Sequence, residues 1–467
     1  MPPDFLQFPL LAALRERRSR RFALGMNMPA GPLEYRSRHQ PVPLTEEEEA
    51  ALVFAACGVT GPALADLCFA PDGGGSIMAG LAGRTIASGD GLQTVALVVI
   101  NDGATCLVRR PRELAPKTLQ AVIDHGRAGD FAAFYRQSRV KIKEGRAAPP
   151  LEPLLNINAN RWSVYAPGTT YFLPVNDLTF MYVNGVLEIL NEHTRAFILD
   201  ERNHFLPAGL GRFARSRGGH LDDDPRNGRV ATIRQIEQFV TEFVTLEQGM
   251  MLQNLGLMTE ALGLGGFPNF ANHEFGWFQA LGFRMGEMPA SRYLAAGWLP
   301  SLAMNLSGRN PAIPYPIGLE RDGETLLKPF CPPYFKSMAD AVRAIIDIKF
   351  GGSGVFRAAQ AGAWLNGSDV TNRVAPPSDA TIAAATAYCE YIWNRYGRFP
   401  AAMAPYRTGL GFQAGHVDAE FYDKFYRPEA LSARQRKDFR ERIHAIAKAT
   451  SGSSVVKTAS NVQPSSE

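Results

Sequence analysis

The sequence predicts an α+β protein, with a central, mostly antiparallel sheet flanked by helices and a mainly helical C-terminal region. Three observations carry that prediction. Thr94-Val95-Ala96-Leu97-Val98-Val99-Ile100 is a β-branched apolar run closed by Asn101-Asp102-Gly103 and followed by Thr105-Cys106-Leu107-Val108, which reads as a β-hairpin. From Thr232 to Leu262 apolar residues recur every three or four positions, the period of a long helix. Beyond it, helical patterns at 335–350, 378–396 and roughly 431–449 dominate the C-terminal part.

Taken in order, residues 1–60 read as helix, loop, helix, the loop carrying Pro29, Pro32, Pro41 and Pro43. Thr45 followed by Glu48 forms a capping box, in which side chain and backbone satisfy each other at a helix start. After the hairpin, 113–143 is basic and helical in pattern, and 147–153 is a proline-rich connection. Phe180–Leu190 reads as a buried helix and Arg212–Arg229 as a charged, glycine-rich surface loop. Thr232 and Gln235 make a second capping box. The wide stripe behind it includes Ile236, Val240, Phe243, Met251 and Leu255, and Gly263-Leu264-Gly265-Gly266 stops it. Ala312–Gly318 is a proline-bounded strand, and the polar tail from Ser451 is expected to be disordered.

The length, 467 residues, allows two large domains or three smaller ones, and 46% hydrophobic with 20% charged residues excludes a disordered or fibrous chain. Lys and Arg number 49 against 45 Asp and Glu; this balance argues against a nucleic-acid binder, although Arg15–Arg21 would be its natural patch. Five scattered cysteines without a CxxC pair favour a reducing compartment over a disulfide framework or a zinc site. No run of apolar residues is long enough for a membrane span, and the apolar start at Phe5–Leu14 has no basic residue before it. The expected setting is cytoplasmic, with neither a membrane nor nucleic acid as partner.

Three segments carry chemistry. Arg17-Arg18-Ser19-Arg20-Arg21 concentrates guanidinium groups and a hydroxyl, the donor set that grips a phosphate. Gly83–Gln93 places Arg84, Ser88, Gly89, Asp90 and Gln93 in a glycine-rich entry to the first strand, where bare backbone can approach a flat ligand. Gln253-Asn254 puts two amides inside the long helix, and Gly265-Gly266 follow its end. The bland alternatives are a solvated basic helix end, an ordinary loop, and a C-cap with two satisfied amides.

In this order the three segments resemble the nitroreductase superfamily of FMN oxidoreductases, nearest to its peptide azoline oxidase branch. The resemblance spans roughly residues 10–320. It implies a nitroreductase-like FMN-binding domain there, a helical extension over 321–450 and a tail over 451–467. It further implies that Arg17, Arg18, Ser19 and Arg21 bind the FMN phosphate. Arg84, Ser88, Gly89, Asp90 and Gln93 would line the ring and ribityl chain, with Gln253, Asn254, Gly265 and Gly266 near N5 and O4. Hydride would pass through N5 to or from a small organic or peptide-derived substrate, with NADH or NADPH as a donor. A flavin-storing protein without turnover is the alternative. The family's late basic residue has three counterparts, Lys328, Lys349 and Arg357, and its two-fold flavin site implies a homodimer, with a single-chain pseudo-dimer as the competing architecture.

Tyr171 and His273 are candidate proton donors, and Trp162, Tyr171 and Phe172 could cover a flavin or simply fill the core. His220 beside Asp222-Asp223-Asp224 does not make a metal site, because consecutive carboxylates cannot converge on one ion. Cys331, without a placed base, reads as structural. Tyr406, Arg407, Gln413, His416 and Asp418 read as a polar loop packed on the first domain.

Overall fold

The structure, a computed structural model, describes residues 4–67, 77–149, 160–270, 274–357 and 362–459. His273 and Cys68 lie outside the described residues.

Seven antiparallel strands form the main sheet. They are β1 (Val95–Ile100), β2 (Ala104–Val108), β3 (Arg139–Glu144), β4 (Thr170–Asp177), β5 (Gly265–Phe270), β6 (Tyr406–Arg407) and β7 (Leu410–Gly415). Their spatial order is β5-β7-β4-β1-β2-β3, with β6 also on β4. The hairpin expected at 94–108 is β1–β2, and its turn is fixed by the Asn101 side chain, whose Oδ1 accepts from the amides of Gly103 and Ala104. The glycines expected in a loop, Gly265 and Gly266, instead begin the edge strand β5. The chain beyond residue 320 is helical as expected but also supplies β6 and β7, so β7 sits between β4 and β5 and completes the sheet.

The helices among the described residues include α1 (Leu10–Glu16), α2 (Glu46–Cys57), α3 (Pro116–Ala128), α4 (Phe131–Ser138), α5 (Leu178–Ile189), α6 (Ile233–Leu262), α7 (Met338–Phe350), α8 (Asp379–Tyr396) and α9 (Ala433–Ala459). Both expected capping boxes are formed, Thr45 with Glu48 on α2 and Thr232 with Gln235 on α6. The basic stretch at 113–143 folds into α3 and α4 but ends in strand β3. Helix α9 runs on to Ala459, past the residue 449 at which its pattern fades.

Alternation along β1 divides the core. Val95, Leu97 and Val99 face α2, α4 and the C-terminal half of α6, whereas Ala96, Val98 and Ile100 face Trp277, Phe278 and Leu281 on the other side. The N-terminal half of α6 belongs to a further core with α5, α7 and α8. At 1.5 Å per residue this 30-residue helix is about 45 Å long and spans both cores. Among the described residues, no helix is long and apolar enough to cross a membrane.

Three carboxylates on α6 are buried, Glu237, Glu247 and Glu260, each at 3% exposure or less. Each holds a neighbouring segment through hydrogen bonds, the condition for burying a charge at tolerable cost. Glu237 accepts from the amides of Ala401 and Ala402 and fixes the turn after α8. Burial pushes its carboxyl up to about 7, from 4.5. A folded-state value above the unfolded one favours the folded state at acid pH, and that contribution disappears as pH rises from 4.5 to about 7. At 1.36 kcal/mol per pKa unit the swing is at most about 3 kcal/mol. Between about pH 5 and about pH 8 the unfolding free energy of the wild type should therefore fall relative to that of Glu237→Gln; parallel pH profiles would refute this assignment.

Candidate functional site

The three sequence segments meet α6 at successive heights. Segment 17–21 reaches its C-terminal end. There Glu260 accepts from the Arg18 amide at 3.1 Å and from Arg20 Nη1 at 2.6 Å, an ion pair with both side chains 2% exposed. The Arg20 amide donates to the Gly266 carbonyl at 3.3 Å, so the first and third segments touch. Burial lowers Arg20 and raises Glu260, and the attraction between the two works against both shifts. Arg21 donates to Asn160 Oδ1 at 2.7 Å and Ser163 Oγ at 2.9 Å, and lies over the rings of Phe267 and Trp162. Arg17, Arg18 and Ser19 are exposed.

Segment 84–93 meets the middle of α6. Glu247 accepts from Ser88 Oγ, from Thr94 Oγ1 at 2.6 Å and from the Val95 amide at 3.0 Å. Gly89 lies so close to Phe243 that a Cβ there would come within 1.8 Å of the ring. Arg84 donates to the Val95 carbonyl, Gln93 to the Ala82 carbonyl, and Asp90 faces Lys349. Asn254, one helix turn beyond Met250, donates to the carbonyls of Ala55 at 2.9 Å and Thr85 at 3.1 Å; Gln253 is exposed. Thirteen residues separate Glu247 from Glu260, about 20 Å along the helix axis.

Two cavities flank α1, and both are bordered by Phe8. The first, about 330 Å³, is an aromatic chamber between α1, α2 and α6, lined by Phe5, Phe8, Phe54 and Phe131 and reached by Thr85 and Asn254. The second, about 900 Å³, is a groove between α1 and the start of α9. Arg15 and Arg18 enter it from one side and Arg434, Lys437 and Arg442 from the other, with Asp4, Glu16, Glu429, Asp438 and Glu441 among them. Residues of the first, second and third sequence segments (Arg18, Thr85 and Asn254) thus border one pair of adjoining cavities. Three buried polar atoms in these segments have no hydrogen-bond partner: Arg21 Nε, Arg84 Nε and Thr85 Oγ1.

A closed ring of charges lies beside the groove. His416 Nδ1 meets Asp438 at 3.0 Å and its Nε2 meets Glu48 at 3.5 Å, while Arg442 pairs with both carboxylates. Burial disfavours the charged imidazole, but the two carboxylates outweigh it and raise its pKa; burial likewise opposes ionised Glu48, yet His416 helps hold that carboxyl at about 2. His416, Glu48 and Asp438 offer ligand atoms within 4.8 Å of one another, and both carboxylates are already paired with Arg442.

A third cavity, about 350 Å³, lies behind the second segment, with Gly91, Leu92 and Gln93 facing Ile123 and Ile348. Gly91 has φ +64°, and a Cβ there would meet the Gly80 carbonyl at 2.3 Å. Arg112 closes one end; it pairs with Asp177 at 3.0 Å, and burial, then the neighbouring Arg110, lowers it to about 10.

Other candidates fall elsewhere. Tyr171 is 1% exposed and donates to Asn269 Oδ1 at 2.6 Å, stacked on Trp277 on the sheet face away from α6, so it is not positioned to donate a proton in either α1 cavity. Trp162 stacks on Phe22, and Phe172 is core. Lys349 is buried against Asn184 and Glu188, Arg357 donates to carbonyls of residues 356, 371 and 374, and Lys328 lies over Phe335. The late cations beside Arg18 are instead Arg434, Lys437 and Arg442, which sequence reasoning passed over because α9 reads as an ordinary charged helix. Glu247 and Glu260 were also passed over; a carboxylate inside an apolar stripe is the signal that marks them.

No protein family and no curated protein matches the chain. Among solved structures, a Ralstonia eutropha protein with a provisional nitroreductase designation is similar at 13% identity, over 59% of this chain and 75% of that one, with a TM-score of 0.28. That degree of likeness assigns neither fold nor activity.

Proposed function

We propose that the chain is an FMN-dependent oxidoreductase acting on a small organic or peptide-derived substrate. The observation that supports this reading is the meeting of a charged groove and an aromatic chamber at Phe8, with Arg18, Thr85 and Asn254 contributed by the three segments. The groove's five cations are balanced by five carboxylates, and Arg18, which donates to the carbonyls of Arg15 and Arg17 rather than to a carboxylate, is the cation best placed to take an anionic group. A ligand suited to both has an anionic group at one end and a flat ring at the other, which is the form of FMN. The unpartnered Thr85 hydroxyl, which lines the chamber, fits a polar ligand rather than a sealed core.

In this reading Arg18, Arg434 and Lys437 bind the phosphate. Arg17 and Ser19, exposed on the same segment, add donors as the phosphate arrives. The four phenylalanines offer an apolar, open-sided wall to the ring, and Asn254 keeps Thr85 in place. Bound FMN supplies two-electron redox chemistry, with NADH or NADPH as donor. The exposed stripe of α6, with Phe239 at 57% and Leu246 at 63% exposure, suits pairing with a second copy, and we include a homodimer in the proposal.

Equilibrium binding of FMN and of riboflavin tests the reading. Loss of the phosphate removes charge-assisted hydrogen bonds of about 1.5–3 kcal/mol each, so riboflavin should bind at least about 10-fold more weakly than FMN. Arg18→Glu should narrow that preference. A protein that stays colourless after incubation with FMN would overturn the proposal. Bleaching of bound FMN by NADH or NADPH separates turnover from storage.

A further inference from the structure

The strands Arg284–Pro289, Ala312–Arg321 and Glu324–Leu327 form a ribbon whose tip is a helical turn, Ala290–Tyr293, and a nine-residue helix, Trp298–Leu306. That helix buries none of its residues. Trp298 is 74% exposed, Leu299 59%, Leu302 49% and Leu306 81%, and Leu294 just before it 64%. Trp298, Leu302 and Leu306 follow at four-residue steps, with Leu299 beside them, so they form one stripe. A helix this short gains too little from its own hydrogen bonds to justify an apolar stripe facing water.

Charge decides what covers it. From Met288 to Leu319 there is no Asp, Glu or Lys; the charged residues are Arg292 and Arg309, one on each side of the helix. A two-fold contact between tips would set these arginines against their own copies with no carboxylate of the tip to compensate. An anionic lipid surface supplies the missing charge, and Trp and Leu between flanking arginines is the pattern of a helix lying at a membrane interface. We propose that the ribbon tip docks on the surface of an anionic bilayer, with Trp298, Leu299, Leu302 and Leu306 inserted among the headgroups. The lack of a spanning segment, which underlies the expectation of no membrane partner, concerns crossing a bilayer and not lying on one. The inference does not depend on the flavin reading.

Co-sedimentation of the full chain with vesicles of phosphatidylglycerol and phosphatidylcholine, against phosphatidylcholine alone, provides the test. Binding should require the anionic lipid, weaken with added salt, and place Trp298 where brominated lipid quenches its fluorescence. Leu302→Asp should abolish it; since Leu302 packs in no core, the fold should survive, and an unchanged circular dichroism melt checks that. Arg309→Gln should weaken binding about 5-fold, the equivalent of the ~1 kcal/mol that one basic residue contributes near such a surface. No sedimentation with anionic vesicles, binding indifferent to Leu302→Asp, or an oligomer that Leu302→Asp converts to monomer without affecting vesicle binding would each overturn the proposal.

Discussion

Glu260→Ala should cost about 3–5 kcal/mol of stability, the usual consequence of leaving one partner of a buried ion pair uncompensated. The substitution strips Arg20 Nη1 and the Arg18 amide of their acceptor at one oxygen and Gln435 Nε2 of a partner at the other. Arg20 would remain 3% exposed, held only by the carbonyls of Ala430 and Glu16. Chemical denaturation of Glu260→Ala, of Arg20→Ala and of the double variant Arg20→Met with Glu260→Met measures the effect. Replacing both partners by apolar side chains should cost less than removing either alone. If Glu260→Ala lay within about 0.5 kcal/mol of the wild type, as exposed substitutions usually do, the ion pair would not be what fastens the amino-terminal segment.

Glu247→Ala should be comparably severe, about 3–5 kcal/mol, for a different reason. Its carboxylate takes three donors, the hydroxyls of Ser88 and Thr94 and the Val95 amide, and no cation pairs with it in these bonds. Each buried donor left without an acceptor costs about 1–3 kcal/mol. The loss should be local before it is global. Hydrogen exchange should accelerate first in 84–95 and in β1, while α9 keeps its protection. Glu247→Gln retains one acceptor oxygen and should recover part of the loss; a variant with unchanged exchange in 84–95 would show that the segment is held by something else.

How much of this was legible in the sequence follows from the range of the interactions. Capping boxes, the Asn101 turn and the period of α6 are written within a few residues, and each formed as expected. Strand β7 was missed although Leu410, Phe412 and Ala414 alternate with Gly411, Gln413 and Gly415, because two glycines weaken so short a strand signal and it joins the sheet only by pairing with residues more than a hundred positions earlier. The same holds for the groove. Arg18 was conspicuous in an arginine cluster, but nothing local to Arg434 or Lys437 announces that α9 lies alongside α1. Sequence reasoning finds the charges, and the fold decides which of them face one another. Arg20 illustrates the point: it sits within the cluster, yet it is spent on Glu260 while Arg17, Arg18 and Ser19 stay exposed.

Helix α6 carries three separate clasps, at Glu237, Glu247 and Glu260, on one uninterrupted rod. Each residue of an α-helix advances the direction of every later side chain by about 100°. Adding or deleting a single residue between two of these glutamates would therefore swing the distal clasp away from its loop, whatever residue was chosen. Such a chain should tolerate length variation in its surface loops while α6 admits substitution but no change of count, a reading frame kept in three dimensions.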